Sequence, residues 1–291
     1  MLTDLIWVSI LFGLASAFFG ALSNVLAKLV MNFSNARDYS AVNFAIIFLL
    51  LIPFTPFFFN LEFSIVAVLL VLAASFVDGL ANYFYFKAFE INDSVTASIF
   101  LSLSPVFTLL LLPFIDFAQN QFTLIDVLGV LTIVFGIIAL NWEIQRGLQP
   151  GSKNESIKTL LVPILASFLF GANIYLIKYI FNLEIANSFT YYFVRAFIIS
   201  VMMFGFLRPN LAWITPKHIS IAAGRSSLVI IQWMFLLYAL NLGNPVIVKA
   251  VSDTSPLFVI VFAFIFLKEK LTRLKILGVI IVIVGLILLT V

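Results

Sequence analysis

The chain has no cysteine and only one histidine, His218. Disulfide and thiolate chemistry are therefore excluded, as is a metal centre built on the histidines of one chain. Charge is scarce as well. Asp, Glu, Lys and Arg make up 10% of the 291 residues, against roughly 25% in soluble domains. No phosphate-binding loop occurs, so nucleotide-driven work would need a partner. The first residues carry no basic stretch ahead of their apolar run and no small-residue cleavage site. They are expected to form a first membrane span rather than a cleaved leader.

What remains is apolar. Hydrophobic residues make up 63% of the chain, 34 of them Phe, and the mean hydropathy is +1.19. A net charge of +3 reflects loop charge, and no nucleic-acid surface is implied. A transmembrane helix takes about 20 mostly apolar residues. Polar and Pro, Gly or Asn punctuation cuts the sequence into ten such stretches, near 5–29, 40–59, 64–87, 94–115, 124–142, 158–181, 187–207, 218–240, 245–267 and 272–290. Backbone groups in hydrocarbon must be satisfied within their own segment, so all ten are predicted as helices. The fold class is all-α integral membrane.

The chain also repeats itself. The run Asp93–Phe107 returns 151 positions later as Asn244–Phe258, with Val, Ser-Pro and Phe in register. Gly20-Ala21 matches Gly171-Ala172 at the same offset, and Thr123, Gly129 and Gly136 match Thr272, Gly278 and Gly285 at an offset of 149. A repeat this long is a duplicated fold unit. The predicted units are 1–145 and 158–291, joined by a hydrophilic loop at 146–157. Five spans per unit is an odd number, so the second unit enters from the opposite side and the repeats are inverted. Lys28, Arg37, Lys87, Arg146, Lys153, Arg208, Lys217, Lys268 and Lys270 gather on one face. The positive-inside rule puts that face in the cytoplasm and both termini outside, in a bacterial or archaeal cell membrane.

Ionisable groups inside a bilayer are costly unless paired or hydrated, which makes each a site candidate. The third span carries Ser75, Asp78, Asn82 and Tyr85 at spacings that share one helical face. The eighth carries Arg225 and Gln232, and the seventh Arg195. The ninth has Lys249 and Asp253 one turn apart, with Ser98 and Ser102 as counterparts in the fourth. The predicted substrate site is Asp78, Asn82, Tyr85, Ser98, Ser102, Arg195, Arg225, Gln232, Lys249 and Asp253, where the third, fourth, eighth and ninth spans converge. Lys249–Asp253 reads either as a structural ion pair or as a gated one. In the gated reading a substrate carboxylate replaces Asp253 and a proton neutralises it. Lys28 and Lys178, near span ends, are expected to snorkel to headgroups, a reading also open for Arg225. Pro105 and Pro256 predict bent helices beside a central cavity. No cofactor or metal is expected, nor an obligatory protein partner. The implied partners are a small-molecule substrate, the bilayer and, as a candidate coupling ion, the proton.

Certain strings resemble a known family. Gly171-Ala172-Asn173 followed by Lys178, the run Tyr191–Phe197 around Arg195, Leu101–Pro105 and Phe266–Thr272 are similar to EamA-type transporters of the drug/metabolite transporter superfamily. The likeness covers both halves. It implies a ten-helix inverted-repeat fold, alternating access, and transport of small metabolites rather than enzymatic activity. The first half departs from the pattern, with Asn43 near the place of Arg195 and no Glu-Lys-Leu-Thr string after the fourth span. No deep glutamate matches the proton carrier of small multidrug exporters. Interior cations outnumber acids, so the leading substrates are amino-acid-like zwitterions or anions. The alternative is a proton-coupled exporter of hydrophobic or cationic compounds, with Asp78 as the proton site.

Overall fold

A computed structural model describes residues 2–62, 64–92, 97, 100–112, 123–147, 153–267 and 273–288. Ser98, Lys268 and Lys270 lie outside the described residues. The helices are α1 (Leu2–Met31), α2 (Ala36–Leu51), α3 (Thr55–Phe58), α4 (Ile65–Ile91), α5 (Ser104–Leu111), α6 (Leu124–Gly147), α7 (Lys153–Asn182), α8 (Ser188–Leu207), α9 (Pro216–Leu242), α10 (Pro245–Ser252), α11 (Ser255–Leu267) and α12 (Arg273–Leu288). A 3-10 turn, Ile52–Phe54, continues α2 into α3. Extended structure among the described residues is limited to one isolated bridge, Leu61–Ala186.

Helix starts follow from caps at matching places in the two halves. The side chain of Asn35 accepts from the Asp38 N–H ahead of α2, and that of Asn187 accepts from the Thr190 N–H ahead of α8. Ser64 and Thr215 do the same for α4 and α9. Each satisfies an amide that the helix itself leaves without a partner.

Six helices among the described residues are long and apolar enough to cross a bilayer: Leu5–Met31, Ala36–Phe58, Ile65–Ile91, Lys158–Asn182, Ser188–Leu207 and Pro216–Leu242. They coincide with the first three predicted spans of each half. The other four predicted spans are not among these six; the fifth is the continuous α6, and the ninth and fourth are interrupted. The ninth is broken at Asp253–Thr254, between α10 and α11. The fourth turns at Ser102–Leu103 before α5. In both cases the break has a chemical cause. Pro105 and Pro256 clash with the carbonyl four residues earlier, which belongs to Leu101 in one half and Ser252 in the other. The helix stops there, and proline sits comfortably in the first turn of the next piece. The expected bend is a break.

The main contacts cross between the halves. α1 lies against α9, α4 against α7, α2 against α8, α5 against α10 and α6 against α12. Exchanging the halves converts the α1–α9 contact into the α7–α4 contact and returns the α2–α8 and α6–α12 contacts to themselves. Such a closed set is what a pseudo-twofold arrangement of repeats produces. At the α6–α12 crossing, a Cβ on Gly136 would stand 2.8 Å from the Val282 nitrogen, and one on Gly285 would stand 2.8 Å from the Ile133 nitrogen. Only glycine permits this backbone approach.

α2 and α8 are tied at both ends. At one, Arg37 donates from Nε to the Leu207 carbonyl (2.7 Å) and from Nη2 to the Arg208 carbonyl (2.9 Å), while the Asn210 N–H donates to Asp38 Oδ1 (2.8 Å). At the other, the Asn60 N–H donates to Thr190 Oγ1 (2.7 Å) and Asn187 Nδ2 to the Phe58 carbonyl (2.9 Å).

Lys28 and Lys178 do not behave as snorkelling lysines. Lys28 Nζ donates to the carbonyls of Phe89 (3.0 Å) and Asn92 (2.8 Å). Lys178 Nζ donates to those of Leu240 (2.7 Å), Asn241 (3.3 Å) and Gly243 (3.2 Å). The carbonyls that end α4 and α9 attract an ammonium group more specifically than headgroups would.

Candidate functional site

A polar cavity of about 920 Å³, including its open mouth, lies where the halves meet. The long helices α1, α2, α4, α7, α8 and α9 and both broken segments line it. The predicted convergence of four spans is thus too narrow, since α1, α2, α7 and α8 also reach the cavity. α6 and α12 pack against each other instead.

Of the ten predicted site residues, Asn82, Tyr85, Ser102, Arg195, Arg225, Gln232, Lys249 and Asp253 line this cavity. Ser98 is not among the described residues. Asp78 is not in the lining. It is fully buried behind it and ion-paired to Arg195 Nε through Oδ2. The seven-residue spacing of Asp78 and Tyr85 does share one broad face, but Asp78 turns toward α8 because Arg195 stands there. Its Oδ1 and both terminal nitrogens of Arg195 have no partner among the described residues. The Arg195 guanidinium lies over Trp233, 3.9 Å from the ring centroid, with the Tyr192 ring at 5.0 Å. An arginine over an indole face is a favourable arrangement away from water.

Arg225 is also buried and does not snorkel, being 3% exposed. Its Nη1 donates to Asn43 Oδ1 at 2.7 Å and its Nη2 to the Tyr85 hydroxyl at 3.2 Å. Tyr85 in turn donates to Asn24 Oδ1 at 2.6 Å. The Phe86 ring covers the guanidinium at 4.8 Å. Every one of these partners is neutral.

Lys249 Nζ donates to Asp253 Oδ1 at 2.8 Å, so the two residues form the expected ion pair. Its setting is not the continuous helix that was expected. Asp253 is the C-cap of α10, at the break. Its Oδ2 accepts from Ser104 Oγ, the first residue of α5 in the other half. The two helix breaks are therefore joined through one carboxylate. Gln232 Oε1 accepts from Ser23 Oγ at 3.1 Å, and its amide lies over Gly20, where a Cβ would stand 3.0 Å from Nε2.

Sequence reasoning left out several residues that line the cavity or hold its lining in place. Asn24 and Asn173 were visible as polar positions on the first and sixth spans. Asn43 was noted only for standing near the place of Arg195. Ser104 was hidden in the Ser-Pro string and read as backbone punctuation. Trp233 gave no signal, because an aromatic residue in an apolar helix is unremarkable. Among the described residues no group of three or more His, Asp or Glu side chains is placed to hold a metal.

A solved structure described only as the crystal structure of a protein superposes on this chain with a TM-score of 0.77, over 97% of this chain and 98% of that one, at 14% identity. That likeness shows the fold. No curated protein matches in sequence. The sequence profile of the EamA-like transporter family matches residues 7–142 and matches again at 157–291. The chain, with its duplicated halves meeting at a polar cavity, belongs to the EamA-like transporter family.

Proposed function

We propose that the protein is a secondary transporter that moves small polar metabolites, amino-acid-like zwitterions or anions, by alternating access. One observation carries this reading. In a chain that is 63% hydrophobic, charged and amide side chains from both halves converge on one cavity. Inverted-repeat transporters hold substrate in that place, near the midplane where the repeats meet. In this reading the broken α10–α11 and α5 segments complete a ten-span arrangement of two inverted five-span repeats. Lys249–Asp253 is the ion pair that opens during the cycle. The basic loops face the cytoplasm of a bacterial or archaeal cell.

The alternative, a proton-coupled exporter of lipophilic cations, is less well supported. It needs Asp78 to face the path, and Asp78 is sealed behind Arg195. Proteoliposome uptake of labelled polar solutes against labelled lipophilic cations separates the two. Saturable movement of the polar set is expected. Movement of the cations alone would end the proposal.

A further inference from the structure

We infer that the substrate is an organic monoanion and that Arg225 is the group that selects it. This rests on the reading of the cavity as a site for small polar solutes, and it decides between the two classes left open there.

The charges around the cavity do not balance. Asp78 compensates Arg195, and Asp253 compensates Lys249. Arg225 forms no ion pair among the described residues; its acceptors are an amide oxygen and a phenol oxygen. Its Nε has no partner there at all. Among the described residues the site therefore carries one uncompensated positive charge, buried and largely shielded from water. A buried guanidinium without an anion is destabilised, and a substrate that brings one negative charge removes that instability on binding. A zwitterion does not. Its carboxylate would satisfy Arg225, but its ammonium would need a second acid, and both acids are already engaged.

The neutral partners are suited to release. Asn43 Oδ1 accepts from Arg225 and lies within reach of two further donors, Tyr39 OH at 3.3 Å and Ser226 Oγ at 3.4 Å. Losing the arginine to an incoming carboxylate leaves Asn43 with other partners. Arg195 adds two buried terminal nitrogens that have no acceptor among the described residues, in the forked geometry that carboxylates bind. Phe44, Ile174, Val229, Trp233 and Leu236 supply apolar wall. The ligand class is accordingly a monocarboxylate with an apolar or aromatic body.

Matched pairs test this, because a 2-hydroxy acid and its amino acid differ only in hydroxyl against ammonium. Uptake into proteoliposomes and thermal stabilisation of the purified protein are measured for lactate against alanine, and for phenyllactate against phenylalanine. Tetraphenylphosphonium serves as a third arm. The hydroxy acids are expected to be favoured by about tenfold or more. Arg225→Lys keeps that preference. Asn43→Asp places a carboxylate 2.7 Å from Arg225 with almost no change of shape. It is expected to give a folded protein, at least as heat-stable as the original, in which the preference is gone.

Equal or greater movement of the amino acids overturns the inference while leaving a polar-solute transporter standing. Absence of both uptake and stabilisation with either hydroxy acid also overturns it. Movement of tetraphenylphosphonium alone overturns both readings. A preference that survives in a folded Asn43→Asp variant shows that Arg225 is not the selecting group.

Discussion

Lys28 and Lys178 stand at near-equivalent places in the two halves, and each donates to the carbonyls that end the third long helix of its own half. Through them the C-terminal ends of α4 and α9 are bound to α1 and α7. The last carbonyls of a helix carry a partial negative charge and have no intrahelical donor, so an ammonium group meets both needs at once.

Replacing either lysine by methionine removes the donor while keeping an apolar side chain. Each single variant is expected to lose about 1–2 kcal/mol of stability. The loss is to be read as a lower midpoint of thermal unfolding in detergent. The two effects should add, because the sites share no partner. Midpoints unchanged by either substitution would restore the snorkelling interpretation.

The Asp78–Arg195 pair has both members buried. Removing one partner leaves the other as a bare buried charge, at a cost of about 3–5 kcal/mol. Asp78→Leu and Arg195→Met are each expected to fold poorly, and the double variant to recover most of the lost stability. A cation on an indole face would still be missing, so transport should not recover with the fold. A double variant no more stable than the singles would show that the pair is not coupled.

For Lys249–Asp253 the informative comparison is Lys249→Met, Asp253→Asn and both together, scored for expression and for transport. Both singles are expected to transport poorly. The double variant should fold well and remain slow, because the ion pair is proposed to open during the cycle. A well-folded double variant that transports at the wild-type rate would reduce the pair to a packing element. Ser104→Ala, which removes only the bond from the other half, should cost less than either single.

Orientation is checked at the last residue, Val291. With the basic loops on the cytoplasmic side, a phosphatase fused there is expected to be active and a fluorescent protein dark. The opposite result would require either the reverse orientation or an odd number of spans.

The outline of the fold was legible because long apolar runs and a repeat at a constant offset are properties of the chain itself. Eight of the ten proposed site residues reach the cavity for a related reason: a polar side chain in hydrocarbon has few other places to go. Asp78 was assigned to the right helix face but not to the right depth. Whether it faces solvent or a cation depends on α8, which no pattern within its own span can reveal. The lysines near the helix ends were misread because their partners are carbonyls, and backbone atoms leave no trace in residue identity. The break at Asp253 needed the position of Pro256 to be read as a stop rather than a bend. Membrane helices tolerate both.

The hydrogen bonds at the two ends of α2 and α8 bear on how access can alternate. They join the helices below and above the cavity, so neither end can spread without giving up bonds that the other end retains. In the alternating-access reading proposed above, α2 and α8 would act as a strut around which the remaining helices pivot. The α1–α9 and α4–α7 pairs each pack against that strut and are each held together by contacts of their own. Tilting these two pairs in opposite senses would close one mouth while opening the other, and the strut would keep its length throughout.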